Sequence, residues 1–409
     1  MSWRERIILI LLAALNFTHI LDFMILMPLG NYLMPYFDLS PQQFSVLVSA
    51  YTISAAVSGF GAAFFVDRYD RKKVLLFAYI GFLLGTIACG LAPTFITLFI
   101  ARTVAGLFGG LIGAQVLSIV ADSFPYERRG AAMGAIMSAF ALASTFGVPF
   151  ALYLANLISW HAPFLLVGIL GIVLVPLLIR YLPNMTGHIQ PVGAERHSKW
   201  SVITNVFADR RQYTALLFSG LIMFGHFSII PFINPFMEFN VGFSKNITPL
   251  IYLVGGVAAF FASNILGRLS DIHGKVFIFM ICTFSALPMV FVITNLPPMQ
   301  AYIPVLALFG LWFSVATGRG VTSSAMITSV VNPEQRGSFQ SFNSSVQQLG
   351  SGLAALVAGF IVTKDPESGK LIHYNWVGYM SIVTLLFCVY LGYTNFRYLE
   401  KDKLAIAKS

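Results

Sequence analysis

One carboxylate sits deep inside an apolar run near the start of the chain. Of the 16 Asp and Glu residues, all but Asp22 fall in polar connections or near the ends of apolar runs, with Asp122 and Glu238 the nearest rivals. A charge at the centre of a bilayer costs at least about 2.5 to 3.5 kcal/mol on insertion scales, so such a group is expected to face an interior cavity and take a partner. A carboxyl there is neutral when alone and ionised beside a cation, which lets it exchange a proton for a partner. The competing reading is a static hydrogen bond between helices.

Depth selects Arg102 as that partner. At about 1.5 Å per residue, Asp22 lies about 22 Å from the start of its run, leaving about 8 Å to the far edge of a core about 30 Å thick. Arg102 enters its own run from the opposite side and lies about 10 Å in, at the same level. Arg102 keeps its proton, so it would hold Asp22 ionised until a substrate or a rotation separates them. A clamp on backbone carbonyls is the alternative role. His19, three residues before Asp22, shares its helix face. It is either a proton relay or substrate ligand, or a satisfied structural donor. His226 repeats it in the second half of the chain, where Ile229 stands in place of the acid. That asymmetry assigns coupling to the first half.

The second half offers polarity without an acid. Gln340, Asn343 and Gln347 follow one another at helical spacing, and Arg319 lies well inside another apolar run. None of these is expected to face lipid. Asn234, beside Pro235, and Gln115 are further candidates for a substrate cavity, with hydrogen bonding between helices an equal account. The substrate-contact set is therefore His226, Asn234, Gln115, Arg319, Asn343 and Gln347.

These residues need long apolar elements to hold them, and the composition supplies little else. Of 409 residues, 57% are hydrophobic and 10% charged, against about 25% charged in a soluble domain. A span takes about 20 apolar residues, and twelve candidates occur at roughly 6–32, 41–66, 74–92, 95–121, 131–158, 161–181, 213–238, 248–269, 275–296, 301–330, 337–362 and 375–397. The first is too long for a secretory signal and has no small-residue cleavage pattern. Residues 183–211 form the longest polar stretch, a linker between a bundle at 1–182 and another at 212–398, with a tail at 399–409. Lys and Arg crowd into alternate connections, while the opposite ones hold only Lys245, Lys364 and Lys370. Both termini and the linker are thus expected in the cytoplasm. The net charge of +9 sits beside anionic headgroups by this asymmetry and calls for no nucleic acid. Cys89, Cys282 and Cys388 each fall within a run, so neither disulfides nor a metal cluster is expected. No nucleophile with a matched base and no phosphate loop is present, which argues against an enzyme.

A short charged turn occurs twice: Ala63-Phe-Phe-Val-Asp67-Arg68-Tyr-Asp70-Arg71-Lys72-Lys73 and Gly267-Arg268-Leu-Ser-Asp271-Ile-His-Gly274-Lys275. Asp67 and Asp271 are 204 apart, while His19 and His226, Pro28 and Pro235, and Arg129 and Arg336 are each 207 apart. Four landmarks in nearly one register indicate duplication, the sequence mark of a transporter built from related halves.

The duplicated turn resembles the loop signature of the major facilitator superfamily, Gly-x-x-x-Asp-(Arg/Lys)-x-Gly-(Arg/Lys)-(Arg/Lys). The first copy matches at Asp67, Arg68, Arg71 and Lys72, with Ala63 and Asp70 in place of the glycines; the second keeps Gly267, Asp271, Gly274 and Lys275. Arg102-Thr-Val-Ala-Gly106 is similar to the family's Arg-x-x-x-Gly motif. Gly134, Gly147 and Pro149 resemble its glycine-proline antiporter motif, with Val148 inserted. The resemblance implies an all-α membrane protein, twelve transmembrane helices in two pseudo-symmetric six-helix bundles, close to drug:proton antiporters of bacteria. It implies that Asp67 docks near the start of span eleven around Glu334, that Asp271 docks near the start of span five, and that Arg68 and Arg71 brace the contact. A solvated basic turn is the plainer reading. Gly147 and Pro149 would let span five bend at the interface between halves.

The function expected is proton-coupled export of a small amphipathic or aromatic compound by alternating access. Alternatives are a proton-linked importer or facilitator of a sugar, nucleoside or organic anion, and a transport-fold receptor without flux. The partners expected are a small-molecule substrate, protons and membrane lipid, without cofactor, metal or nucleic acid, for a monomer in a bacterial inner membrane.

Overall fold

The computed structural model describes residues 2–186, 209–299, 301–331 and 336–398; within these, the side chains of Ala63, Phe65, Asp67, Tyr126, Glu127, Arg129, Arg336, Gly337 and Ser338 lie outside the description. The expected docking of Asp67 near Glu334, most of the linker and the tail therefore fall outside the described residues.

Among the described residues, 12 helices are long and apolar enough to cross a membrane. In the first half they are Trp3–Ile25, Pro41–Ala62, Arg71–Gly90, Phe95–Ser123, Gly130–Leu157 and His161–Tyr181. In the second half they are Arg210–Val241, Thr248–His273, Lys275–Thr294, Tyr302–Ser329, Phe339–Ile361 and Tyr374–Phe396. They are called spans one to twelve below. Local chemistry sets several starts. Ser2 and Glu5 form a reciprocal cap on span one, and Ser40 with Gln43 does the same on span two, where Pro41 opens the first turn. Each device satisfies backbone donors that a helix start leaves unpaired.

Two expected continuous spans are broken. Span one ends at Ile25 and, after a turn around Pro28, a short helix runs over Gly30–Tyr36. Span seven is helical over Arg210–Phe227, then passes through a tight turn at Ile230–Phe232, a short helix at Ile233–Phe236 and a wide π turn at Met237–Val241. Pro28, Pro231 and Pro235 lack the N–H that would continue the ladder. The chain also departs from a purely helical reading at one connection, where Thr363 and Lys364 pair antiparallel with Ile372 and Leu371. Asn240 holds this hairpin, donating to the Leu371 carbonyl at 2.8 Å and accepting its N–H at 2.9 Å.

The halves meet along two seams. Spans two and eleven run antiparallel, and small residues recur at heptad spacing where they touch. A methyl on Gly352 would stand 2.5 Å from the Thr52 hydroxyl, one on Gly59 would stand 3.0 Å from that of Ser345, and one on Gly359 would overlap Ser45. Small residues bring backbones within contact distance, the usual means of helix association where lipid removes the hydrophobic drive. In the second seam, Gly256 of span eight lies against Thr145 of span five, whose backbone leaves no room for a Cβ. Thr145 belongs to a π turn at Ala143–Gly147. Pro149 cannot donate to the carbonyl four residues back, and the wider turn absorbs the missing bond. Gly147 and Pro149 thus interrupt span five at an interface between halves.

Candidate functional site

Asp22 and Arg102 meet in the interior of the first half. Arg102 Nη1 donates to Asp22 Oδ2 at 2.8 Å and lies 3.4 Å from the Asp22 carbonyl oxygen. Tyr51 of span two lies under the guanidinium at 4.4 Å, and Phe164 of span six stands 5.9 Å away. Thr86 of span three faces the same carboxyl. The side chains of Arg102 and Asp22 are 1% and 0% exposed. The pairing matches the depth argument; the expected opening onto an aqueous cavity does not appear. Tyr51 and Phe164 come from spans remote in sequence and close over the pair. Among the described residues Asp22 Oδ1 has no hydrogen-bond partner, so the acid is only half satisfied there.

His19 lies on the far side of Gly109's clearance, beside the same Tyr51. Its ring meets Phe82 edge-on at 5.4 Å, and its Nδ1 has no hydrogen-bond partner among the described residues. Gly109 makes room for it. A methyl there would fall 2.5 Å from the Tyr51 hydroxyl and 3.2 Å from His19 Nε2, so both side chains depend on a bare backbone in span four. Gln115, in that same span, is buried with its carbonyl oxygen unpaired among the described residues.

The second half buries a basic group of its own. Arg319 Nη2 lies 3.3 Å from His226 Nδ1, and the Trp312 ring lies 5.2 Å from the His226 ring. Asn343 is buried, and its oxygen finds no partner among the described residues. Gln347 donates to Ser219 at 3.0 Å. Phe23, next to Asp22, meets Phe227, next to His226, at 5.9 Å between ring centroids. The two interior basic groups therefore flank an aromatic contact between halves.

Asn234 stands elsewhere. Its amide donates to the Pro28 carbonyl at 2.7 Å, at the end of the bundle opposite the termini. This is the hydrogen bond between helices that the sequence left as an equal account of Asn234, and it joins the two halves there. The proline kinks on each side bring these chains together. The same mouth carries Asn31, which donates to Glu238 Oε1 at 2.6 Å, while Thr248 donates to that oxygen at 2.9 Å. Gln42 donates to the Val362 carbonyl at 3.2 Å, and the Lys245 ammonium sits 4.7 Å from the Tyr32 ring centre. Sequence reasoning noted Glu238 only as a rival acid near a span end. Its partner across the halves carried no sequence signal beyond the 207-residue register.

At the other end, the first charged turn is tied within its own half. Arg71 Nε lies 3.3 Å from Asp122 Oδ2; the contact it was expected to brace falls outside the described residues. Asp70, standing where the family pattern has glycine, caps span three by accepting from Lys72 N at 2.8 Å and also accepts from Met185 N at 3.1 Å. The start of the linker is thereby fastened to the turn. An Asp before a helical run was legible as a cap; the tie to Met185 was not. Arg68 is exposed in a short turn at Val66–Arg68. In the second copy, Asp271 accepts from Lys275 at 3.1 Å; the side chains it was expected to meet at the start of span five include several outside the description. Gly274 has φ +106°, a backbone state open to glycine and strained for other residues. At Gly267 an added methyl would lie 3.9 Å from a Val321 methyl, an ordinary contact.

Comparison with known proteins follows the same lines. A family model described as Major Facilitator Superfamily matches residues 12–355. The chain is 24% identical over 366 residues to the "Uncharacterized MFS-type transporter YceJ" of Bacillus subtilis, covering 89% of this chain and 91% of that one. It is 22% identical to a "Probable sugar efflux transporter" of Helicobacter pylori, covering 80% and 81%. Its fold is similar to the crystal structure of a bacterial homologue to the human lysosomal transporter Spinster in an inward-facing, unoccupied conformation, with TM-score 0.75, 17% identity, and 98% and 99% of the chains covered.

Proposed function

The chain belongs to the Major Facilitator Superfamily and is an integral membrane transporter; from that premise we propose that it exports a small amphipathic or aromatic compound in exchange for protons. The observation that carries the proposal is the Asp22–Arg102 pair at 2.8 Å, enclosed at 0% and 1% exposure. An ion pair in so dry a place holds together only while both charges remain. Protonation of Asp22 removes one of them and frees Arg102. A proton and the pairing thus compete for the same carboxyl, and that competition is the physical basis of coupling.

The rest of the architecture supports alternating access about this pair. The mouth at Asn31, Glu238 and Asn234 is shut by hydrogen bonds between halves, and the two seams of small residues let the halves rock without losing contact. By the distribution of basic residues, that mouth faces outward and the termini face the cytoplasm of a bacterial inner membrane. The protein works as a monomer on this reading. The sugar efflux relative in Helicobacter pylori supports the outward direction.

Reconstituted vesicles test the coupling. With Asp22→Asn, pH-gradient-driven efflux should vanish while exchange of substrate across the membrane without a gradient persists. Unchanged gradient-driven efflux would remove Asp22 from the mechanism. A second reading, a proton-linked importer or facilitator of a sugar, nucleoside or organic anion, draws support from the buried cation Arg319. Counterflow with a substrate panel separates it from export.

A further inference from the structure

The two interior arginines differ in one respect. Arg102 faces an acid; among the described residues, Arg319 does not. Arg319 is 2% exposed, yet its Nε and Nη1 have no hydrogen-bond partner among those residues, and its Nη2 meets the Nδ1 of His226 at 3.3 Å. The side chains of Cys282 and Cys388 also lie nearby. A guanidinium keeps its proton in a protein, so this position carries a permanent positive charge. Leaving such a charge in a membrane interior without an anion is unfavourable. His226, accepting from Arg319 through Nδ1, must carry its own proton on Nε2, so it adds a second donor. Trp312, packed against the imidazole, adds an aromatic face.

We infer that Arg319 and His226 receive the carboxylate of the transported compound, which makes the substrate class an aromatic or amphipathic organic acid. This deepens the transport reading and rests on it. A planar guanidinium with unused N–H groups suits a carboxylate, which it can grip at two points. The sequence agrees with the assignment in one respect: the second half has no acid of its own beside His226, because Ile229 stands where the 207-residue register would put the counterpart of Asp22. The incoming carboxylate would supply the missing partner.

The test uses the full-length protein in detergent, with benzoate, cinnamate, 2-naphthoate and indole-3-acetate, each set against its neutral amide, and titration calorimetry as the readout. At least one acid should bind, about tenfold or more tighter than its amide, the difference expected of a charge-assisted contact. Arg319→Gln should erase that preference, and Arg319→Lys should keep part of it, because an ammonium holds a carboxylate at one point. Three results would overturn the inference: no acid bound, acid and amide bound alike by the unaltered protein, or the preference intact in Arg319→Gln. The first two need no variant and so survive any folding defect. Proton-driven export unchanged in Asp22→Asn, with acid binding by the unaltered protein intact, would overturn the coupling and spare this site, while neutral compounds exported without acid binding would do the reverse.

Discussion

Arg102 donates to Asp22 across spans four and one at 2.8 Å, with neither side chain more than 1% exposed. Two charges so enclosed depend on each other. Removing either leaves the other buried alone, at a cost of about 3 to 5 kcal/mol. Asp22→Asn and Arg102→Gln should each lower thermal stability in detergent, and the double variant should lose less than the two losses combined, by about 1 to 3 kcal/mol. Strict additivity would mean that the pair contributes nothing as a pair.

Glu238 accepts from Asn31 of the other half and from Thr248 of its own. Asn31→Ala should therefore weaken closure of that mouth while leaving span seven intact. The loss of a hydrogen bond to a charged group is about 1.5 to 3 kcal/mol, enough to move the open-to-closed ratio about tenfold or more. Spin labels on the two sides of the mouth would report a longer distance distribution. A distribution identical to that of the unaltered protein would show that the bond is not a latch.

Gly352 lies against Thr52 on the seam of spans two and eleven, whereas a methyl at Gly113 would meet nothing within 4 Å among the described residues. Gly352→Val should force the seam apart at a cost of about 1 to 3 kcal/mol and slow transport. Gly113→Ala should be neutral or stabilising by up to about 1 kcal/mol. Equal effects from the two would argue that the seam is not closely packed in the membrane.

Asp70 caps span three and accepts from Met185. Asp70→Ala should cost about 0.5 to 2 kcal/mol and should speed hydrogen exchange at the amides of Lys72 and Met185 together. Faster exchange at Lys72 alone would show that the linker is fastened by other contacts.

Much of the site was legible because the relevant signals are local. Residence in lipid follows from composition, and the common depth of Asp22 and Arg102 follows from a fixed rise per residue. The register shift of 207 also paired Pro28 with Pro235, and the chain segments bearing them do meet, through Asn234 and the Pro28 carbonyl. Asn234 had two equal accounts in the sequence because a polar residue in an apolar run looks the same whether it faces a cavity or a carbonyl of the other half. The breaks in spans one and seven were written in their prolines, yet hydropathy alone reads through them.

The chain by itself determined that twelve apolar helices form, that they come as two related sets, and that an acid and a guanidinium share one level. Only the tertiary structure decided that Tyr51 and Phe164 would seal that acid from water, that Glu238 would find Asn31, and that Arg319 would stand against His226 with no anion among the described residues. The reason is physical: helix formation and depth depend on neighbours within a few turns, whereas enclosure and partnership depend on side chains brought together from spans far apart in the chain.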